Sequence, residues 1–291
     1  DWARIPFIGL SATPWSYGLD EDYETLLIAE TTAGLIEGGF LSGFRVFASS
    51  HPDMSGVGIS QGDYKVGQAA DVMMKDELVG DVVETWLRLA DNRPTLVFAT
   101  NRAHARQLQS RFRDRGIEAA YIDAMTPRET RDVIAAQFNN KELRVVVNVG
   151  VLTTGVDWDV RCISIARPTR SEIMHVQIMG RGLRPAPGKD HCLILDHADN
   201  HARLGFVTDI VHETFPRKAT RSTPDAVPGG CGAAARLIEC RTCAMMVQAQ
   251  ARTCPGCGAD MTAAAFEDPD IFEKDGELQD ITAAMARGRG A

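Results

Sequence analysis

Val145 to Asp157 read V-V-V-N-V-G-V-L-T-T-G-V-D. Continuous β-branched residues without polar alternation are what a central parallel strand needs when helices cover both faces of its sheet. Ligands of open α/β sheets bind at the loops beyond the carboxyl ends of such strands. That is where the Thr-Thr-Gly-Val-Asp loop falls.

Working outward, T-L-V-F-A-T (Thr95 to Thr100) is a second strand of this kind, and F-I-G-L-S-A-T-P (Phe7 to Pro14) a third that ends in Ser-Ala-Thr. Strands expected at 94–99, 118–122, 143–149, 161–166 and 190–195 alternate with helices expected at 101–115, 127–139 and 171–180. That alternation predicts an α/β class with a parallel sheet and helices on both faces. The second helix has a marked start: Thr126 as N-cap, Pro127 at the first helical position and Glu129 closing a T-x-x-E capping box. The chain shows no internal repeat.

Residues 177 to 184 read Q-I-M-G-R-G-L-R. Arg181 and Arg184, three apart, share one helix face, and Gly180 and Gly182 let backbone pack closely. A planar guanidinium with a fixed fork of donors suits the spread-out charge of a phosphoryl group in transfer. A surface arginine pair on a solvated helix is the plain alternative, and the neighbouring motifs decide against it.

In order and spacing, S-A-T, T-L-V-F-A, T-x-G-x-D and Q-x-x-G-R-x-x-R resemble motifs III, IV, V and VI of the superfamily 2 helicases and translocases. The likeness is to the DEAH-like branch that includes DNA repair, restriction and phage-type helicases. It covers roughly residues 1–215, and the last two motifs at their mutual distance are its most specific part. It implies a RecA-like lobe that completes an ATP and Mg²⁺ site. Arg184 would be the main arginine finger and Arg181 a second contact to the γ-phosphate, with Gln177 near the nucleotide. Gly155, Asp157 and Gly180 would line the cofactor, Asp157 at its ribose. Ser11 and Thr13 would couple hydrolysis to nucleic-acid grip, and Thr153 and Thr154 would lie where both ligands meet.

No G-x-x-x-x-G-K-[ST] loop and no D-E-x-H or D-E-x-D tetrad occurs in the sequence. Without the backbone cradle and its lysine, β- and γ-phosphates have no seat, and without the acidic pair Mg²⁺ is not held. The chain opens at Asp1 rather than Met. The expectation is the carboxy-terminal part of a longer protein, in which a first RecA-like lobe carries the Mg²⁺ ligands; by itself the chain should not hydrolyse ATP.

At 291 residues, 44% hydrophobic and 24% charged, the composition is that of an ordinary globular protein. No apolar run is long enough for a membrane helix and the first residues do not form a signal peptide, so the expected home is the cytoplasm. The net charge of −8 argues against a nucleic-acid partner until its distribution is read: residues 93–190 carry 16 Lys and Arg against 10 Asp and Glu. Affinity for nucleic acid follows local basic surface, although so small an excess decides little.

The expected division is the end of a first lobe at 1–16, an irregular connector rich in Gly and acidic residues at 17–84, a second RecA-like lobe at 85–215 and a Pro/Gly/Thr-rich linker at 216–232. Beyond lie a ribbon at 233–262 and an acidic, flexible tail at 263–291 with a short helix near its end. In the ribbon, Cys240-x2-Cys243 and Cys254-x2-Cys257 stand ten residues apart. Two C-x-x-C pairs let four thiolates close a tetrahedral shell around Zn²⁺, a structural site without an open position; disulfides or free thiols are the alternatives. Cys231 is not expected as a ligand, and Cys162 and Cys192 fall in strands as core residues. His191, His197 and His201, with Asp196 and Asp199, are read as core or capping residues rather than a metal site.

These readings converge on the C-terminal part of an ATP-dependent DNA helicase or translocase, with nucleic acid and the first lobe of the same protein as partners and no membrane. The rival is a non-enzymatic module in which a helicase-like lobe and ribbon only dock nucleic acid or protein.

Overall fold

Val145, Val146 and Val147 are all fully buried, as a β-branched run of this kind requires. Fully burying such side chains contributes about 1.5–3 kcal/mol apiece. The computed structural model of the protein describes residues 6–16, 18–48, 50–152, 157–216, 237–262, 271–274 and 277–280. Two compact units divide the chain after Ala249.

In the first unit, α1 (Leu19–Asp22) and α2 (Thr32–Glu37) precede β1 (Gly43–Phe47). A small hairpin, β2 (Ile59–Ser60) and β3 (Asp63–Tyr64), leads to α3 (Val66–Met73) and α4 (Asp76–Leu89). Then follow β4 (Thr95–Ala99), α5 (Arg102–Asp114), β5 (Ala119–Ile122), α6 (Arg128–Asn139), β6 (Val145–Asn148), β7 (Cys162–Ala166), α7 (Glu172–Gly182), β8 (His191–Asp196) and α8 (Asn200–Leu204). Apart from that hairpin, the strands of this unit named so far form one parallel six-stranded sheet in the order β1-β8-β7-β4-β6-β5. Together these elements make the RecA-like α/β fold expected from the sequence.

Side chains alternate between two cores, as the period of a strand dictates. Leu96, Phe98, Val146, Ile163, Ile165 and Ile194 pack with Phe138 of α6 and Ile178, Met179 and Leu183 around α7. On the opposite face Val97, Ala99, Val145, Val147 and Leu195 pack with Val82 and Trp86 of α4 and Leu108 and Phe112 of α5. Buried polar groups are bonded where the core needs it: Trp86 Nε1 donates to Thr95 Oγ1 at 2.7 Å, and Asn148 Nδ2 to the Val97 carbonyl at 2.9 Å.

Three expectations change. Phe7 to Pro14 forms no strand; Phe7, Ile8 and Leu10 are exposed and the segment joins no ladder, and a strand is defined by a neighbour to pair with. Residues 17–84 are not merely a connector. β1 pairs parallel with β8, Val46 opposite Ile194, and α4 runs across the expected boundary at 84/85. Thr126 does not cap α6, because its hydroxyl is spent on Asp123, accepting from the backbone N–H at 2.9 Å and donating to Oδ1 at 3.1 Å. Within the expected flexible tail, backbone pairs antiparallel as β11 (Ile271–Lys274) and β12 (Glu277–Asp280).

The first half of the ribbon, the antiparallel pair β9 (Leu237–Glu239) and β10 (Met246–Gln248), belongs to the first unit. It closes the open edge of β1 by a bridge between Phe47 and Met245 and a hydrogen bond from Ala48 N–H to the Ala244 carbonyl at 3.1 Å. Unpaired edge backbone is thereby covered. Met246, 5% exposed, enters the same core cluster as Ile163 and Met179. The expected linker lies, from residue 217 on, outside the described residues.

Candidate nucleotide and metal sites

α7 carries Arg181, has Arg184 just past its end and starts where the sequence predicts. The Ser171 side chain caps it by accepting from Met174 N–H at 3.2 Å, and Glu172 in its first turn suits the positive end of the helix dipole. His175, Ile178, Met179 and Gly182 face the core, which leaves Gln177, Gly180, Arg181 and Arg184 outside the buried set. The two glycines differ. A Cβ on Gly182 would come within 2.4 Å of Cys192 Sγ and 2.8 Å of Ile163 Cδ1, whereas one on Gly180 would meet nothing within 4 Å. Close packing is the task of Gly182, and Gly180 borders open space.

Arg184 Nη1 lies 3.2 Å from Asp157 Oδ1, the arginine side chain 34% and the carboxylate 96% exposed. Burial and the neighbouring Arg184 lower the Arg181 guanidinium from its usual pKa, although an arginine so shifted stays charged. The structure thus brings Arg181, Arg184 and Asp157 together at one end of α7. Thr153, Thr154 and Gly155 lie outside the described residues.

Ser11 is exposed and Thr13 buried, with Thr13 N–H donating to Ser11 Oγ at 3.1 Å. Two residues on, Trp15 stacks on His212 at 4.9 Å between ring centroids, and His212 Nε2 is bonded to Glu172 Oε2 at 2.8 Å. The Ser-Ala-Thr segment therefore reaches the first turn of α7 through an aromatic stack and a hydrogen bond. Sequence reading missed this link, because Trp15 and His212 belong to no motif and meet only in the fold.

His197 and His201 are fully buried, as expected of core residues. His201 Nδ1 is 2.7 Å from Asp196 Oδ2 and both side chains are fully buried. Burial alone would raise the Asp196 carboxyl, but bonds from the His201 ring and the backbone N–H groups of His201 and Ala198 hold it below the usual range. The His201 ring meets His175 of α7 edge-on at 4.6 Å. Ser50 Oγ donates to Asp81 and accepts from His197 Nδ1 at 2.9 Å, and burial lowers the His197 pKa to about 4. Cys162 and Cys192 are core residues whose thiols burial pushes up, Cys192 to about 12.

The sulfurs of Cys240, Cys243, Cys254 and Cys257 all lie within 4.8 Å of one another. Four thiolates can hold Zn²⁺ in a closed tetrahedral shell with Zn–S bonds of about 2.3 Å. Each C-x-x-C pair sits in a turn of the same form. Ala244 N–H donates to the Cys240 carbonyl at 2.7 Å, and Gly258 N–H to the Cys254 carbonyl at 2.8 Å. Gly258 takes a φ of +76°, and Ala244 in the matching place takes +59°. Among the described residues no other group of His, Cys, Asp or Glu is gathered for a metal; Cys231 lies outside them.

His51 joins the first of these turns to the sheet: Nδ1 lies 2.7 Å from Asp199 Oδ1 and Nε2 3.0 Å from Glu239 Oε2. An imidazole bonded to carboxylates through both nitrogens donates both protons, and these bonds raise its pKa to about 10.

Residues 75–186 match the family of the helicase conserved C-terminal domain. The match agrees with the fold and the motif order in likening this segment to the C-terminal lobe of a superfamily 2 helicase. A 51.5 kDa protein of a Lactococcus phage is 25% identical over 271 residues, 90% of this chain and 57% of its own length. A candidate ATP-dependent helicase of Saccharomyces cerevisiae, IRC3, is 34% identical over 148 residues, 50% of this chain and 22% of its own. A candidate mitochondrial ATP-dependent helicase of Schizosaccharomyces pombe, irc3, is 38% identical over 136 residues, 46% of this chain and 22% of its own. The chain thus spans little over half of the phage relative and about a fifth of the yeast ones. No helix among the described residues is long and apolar enough to cross a membrane.

Proposed function

We propose that this chain is the C-terminal part of an ATP-dependent DNA helicase or translocase, supplying Arg184 and Arg181 to ATP bound against another RecA-like lobe. The observation that carries the reading is the arginine pair at the exposed end of α7, with Arg184 bonded to the solvent-facing Asp157. In this reading Gln177, Gly155 and Gly180 line the nucleotide and Asp157 meets its ribose. Ser11 and Thr13 couple hydrolysis to a strand held in part by Thr153 and Thr154. Mg²⁺ and the phosphates are held by the other lobe, so catalysis needs closure of the two. The four cysteines hold a structural Zn²⁺. The proposed compartment is the cytoplasm, although the S. pombe relative is mitochondrial by name.

The test compares the full-length protein with the 291-residue chain. Single-stranded DNA should stimulate ATP hydrolysis by the former, and the latter should show none above background. Turnover by the chain alone that disappears in Arg184→Ala would overturn the two-lobe account. A full-length protein that binds DNA but never hydrolyses ATP would favour the docking module.

A further inference from the structure

Arg184 lies just past the last turn of α7, where the helix leaves carbonyls without intrahelical donors. Its own carbonyl accepts from Lys189 Nζ at 2.7 Å and from Ser42 Oγ at 3.0 Å. Lys189 Nζ also donates to the Gly182 carbonyl at 2.5 Å, and Ser42 N–H donates to the Leu183 carbonyl at 2.7 Å. Three successive peptide oxygens, 182 to 184 without a break, are thus held by two residues. The turn cannot lean toward the sheet either, because Gly182 already touches Cys192 and Ile163 so closely that no Cβ fits.

These contacts exceed what ending a helix requires. A cation near the helix C-terminus is favourable, and a single exposed lysine would serve. Lys189 is instead half-buried, and burial lowers its pKa. Ser42 is buried and stands 142 positions away in sequence, just before β1. A desolvated ammonium aimed at two carbonyls fixes direction more strongly than a solvated one, since water competes less for its protons.

We propose that Lys189 and Ser42 are positioning residues for Arg184, a clamp that fixes the backbone from which the finger guanidinium projects. The inference rests on the proposed role of Arg184. Neither residue touches the nucleotide, and both act through the direction of the Arg184 side chain. An arginine finger is useful only when its fork meets the phosphoryl oxygens, and a displacement of about 1 Å can cost on the order of a hundredfold in rate.

The test uses the full-length protein and the variants Lys189→Met, Lys189→Arg, Ser42→Ala and Arg184→Ala. Lys189→Met should lower kcat by about tenfold or more while the KM for ATP changes little, because the loss falls on the transition state. Lys189→Arg should restore part of it and Ser42→Ala should cost less, since the Arg184 carbonyl then keeps its lysine donor. Placed on top of Arg184→Ala, Lys189→Met should cost nothing further. An equal loss in that background shows action independent of the finger and overturns the clamp. Amide exchange over residues 180–190 in the same variants separates the two assumptions. Faster exchange in Lys189→Met, with Arg184→Ala leaving turnover intact, keeps the clamp but removes the finger. Unchanged exchange in both Lys189→Met and Ser42→Ala overturns the clamp whatever turnover does.

Discussion

Arg184 is joined to Asp157, Nη1 to Oδ1 at 3.2 Å. The residue proposed for the γ-phosphate is thereby tied to the residue proposed for the ribose, and a nucleotide must separate them. An ion pair this exposed is worth at most about 1 kcal/mol. Asp157→Ala should leave the unfolding free energy almost unchanged while raising the KM for ATP of the full-length protein. A lower KM would mean that Asp157 restrains Arg184 and does not bind the ribose.

The two glycines of α7 predict opposite outcomes. Gly182→Ala forces a Cβ into Cys192 and Ile163 and should destabilise the lobe by about 1–3 kcal/mol. Gly180→Ala meets no atom within 4 Å and should stabilise it by about 0.4–1 kcal/mol, the usual gain from lowering unfolded-state entropy. Urea melts of the two variants decide this, and equal effects would refute the packing described for α7.

The strands in the middle of the sheet were legible because each is covered on both faces and so reads as an uninterrupted apolar run. β1 was not, since Gly43 opens it and Arg45 points to solvent. Its membership depends on pairing with β8 about 150 positions on. The arginine pair and the four cysteines carry spacing that survives in sequence. Ser42, Trp15, His51 and Met246 carry none, and only the fold shows what they touch. Thr126 misled because the same hydroxyl that caps a helix also closes a turn on Asp123, and local sequence does not rank the two.

Docking of β9 and β10 on the lobe changes what metal loss should do. The ribbon was expected as a separate module behind a linker, but Met246 is part of the lobe's core and Met245 bridges to Phe47. Elemental analysis should find a single zinc per chain, lost in Cys254→Ser. Chelation should then lower the melting temperature of the whole lobe. Met246→Ala should cost about 2–5 kcal/mol, as for other buried methionines. A lobe that melts identically with and without zinc would contradict this docking.

Stability should fall on acidification. Burial lowers His104 to about 4, His175 to about 3 and His197 to about 4, from 6.5. Each is neutral in the folded chain and takes up a proton more readily when unfolded, so its contribution is complete above about pH 6.5 and is lost as pH drops toward the folded values. His51 has the opposite sign: raised to about 10, its contribution is present below pH 6.5 and fades as pH rises through 10. Urea midpoints measured from pH 5 to 9 should therefore peak near neutrality. A midpoint rising steadily toward pH 5 would contradict the buried neutral histidines.

The central claim, that Arg184 completes an ATP site across a cleft, is tested most directly by nucleic-acid-stimulated ATP turnover of full-length Arg184→Ala. Turnover should drop by at least about a hundredfold, given what arginine fingers contribute, with folding intact because the side chain faces an open surface. Arg184→Lys should recover little, since a point charge does not replace the guanidinium fork. Turnover within about threefold of the wild type, far below the effect of a finger, would contradict the account.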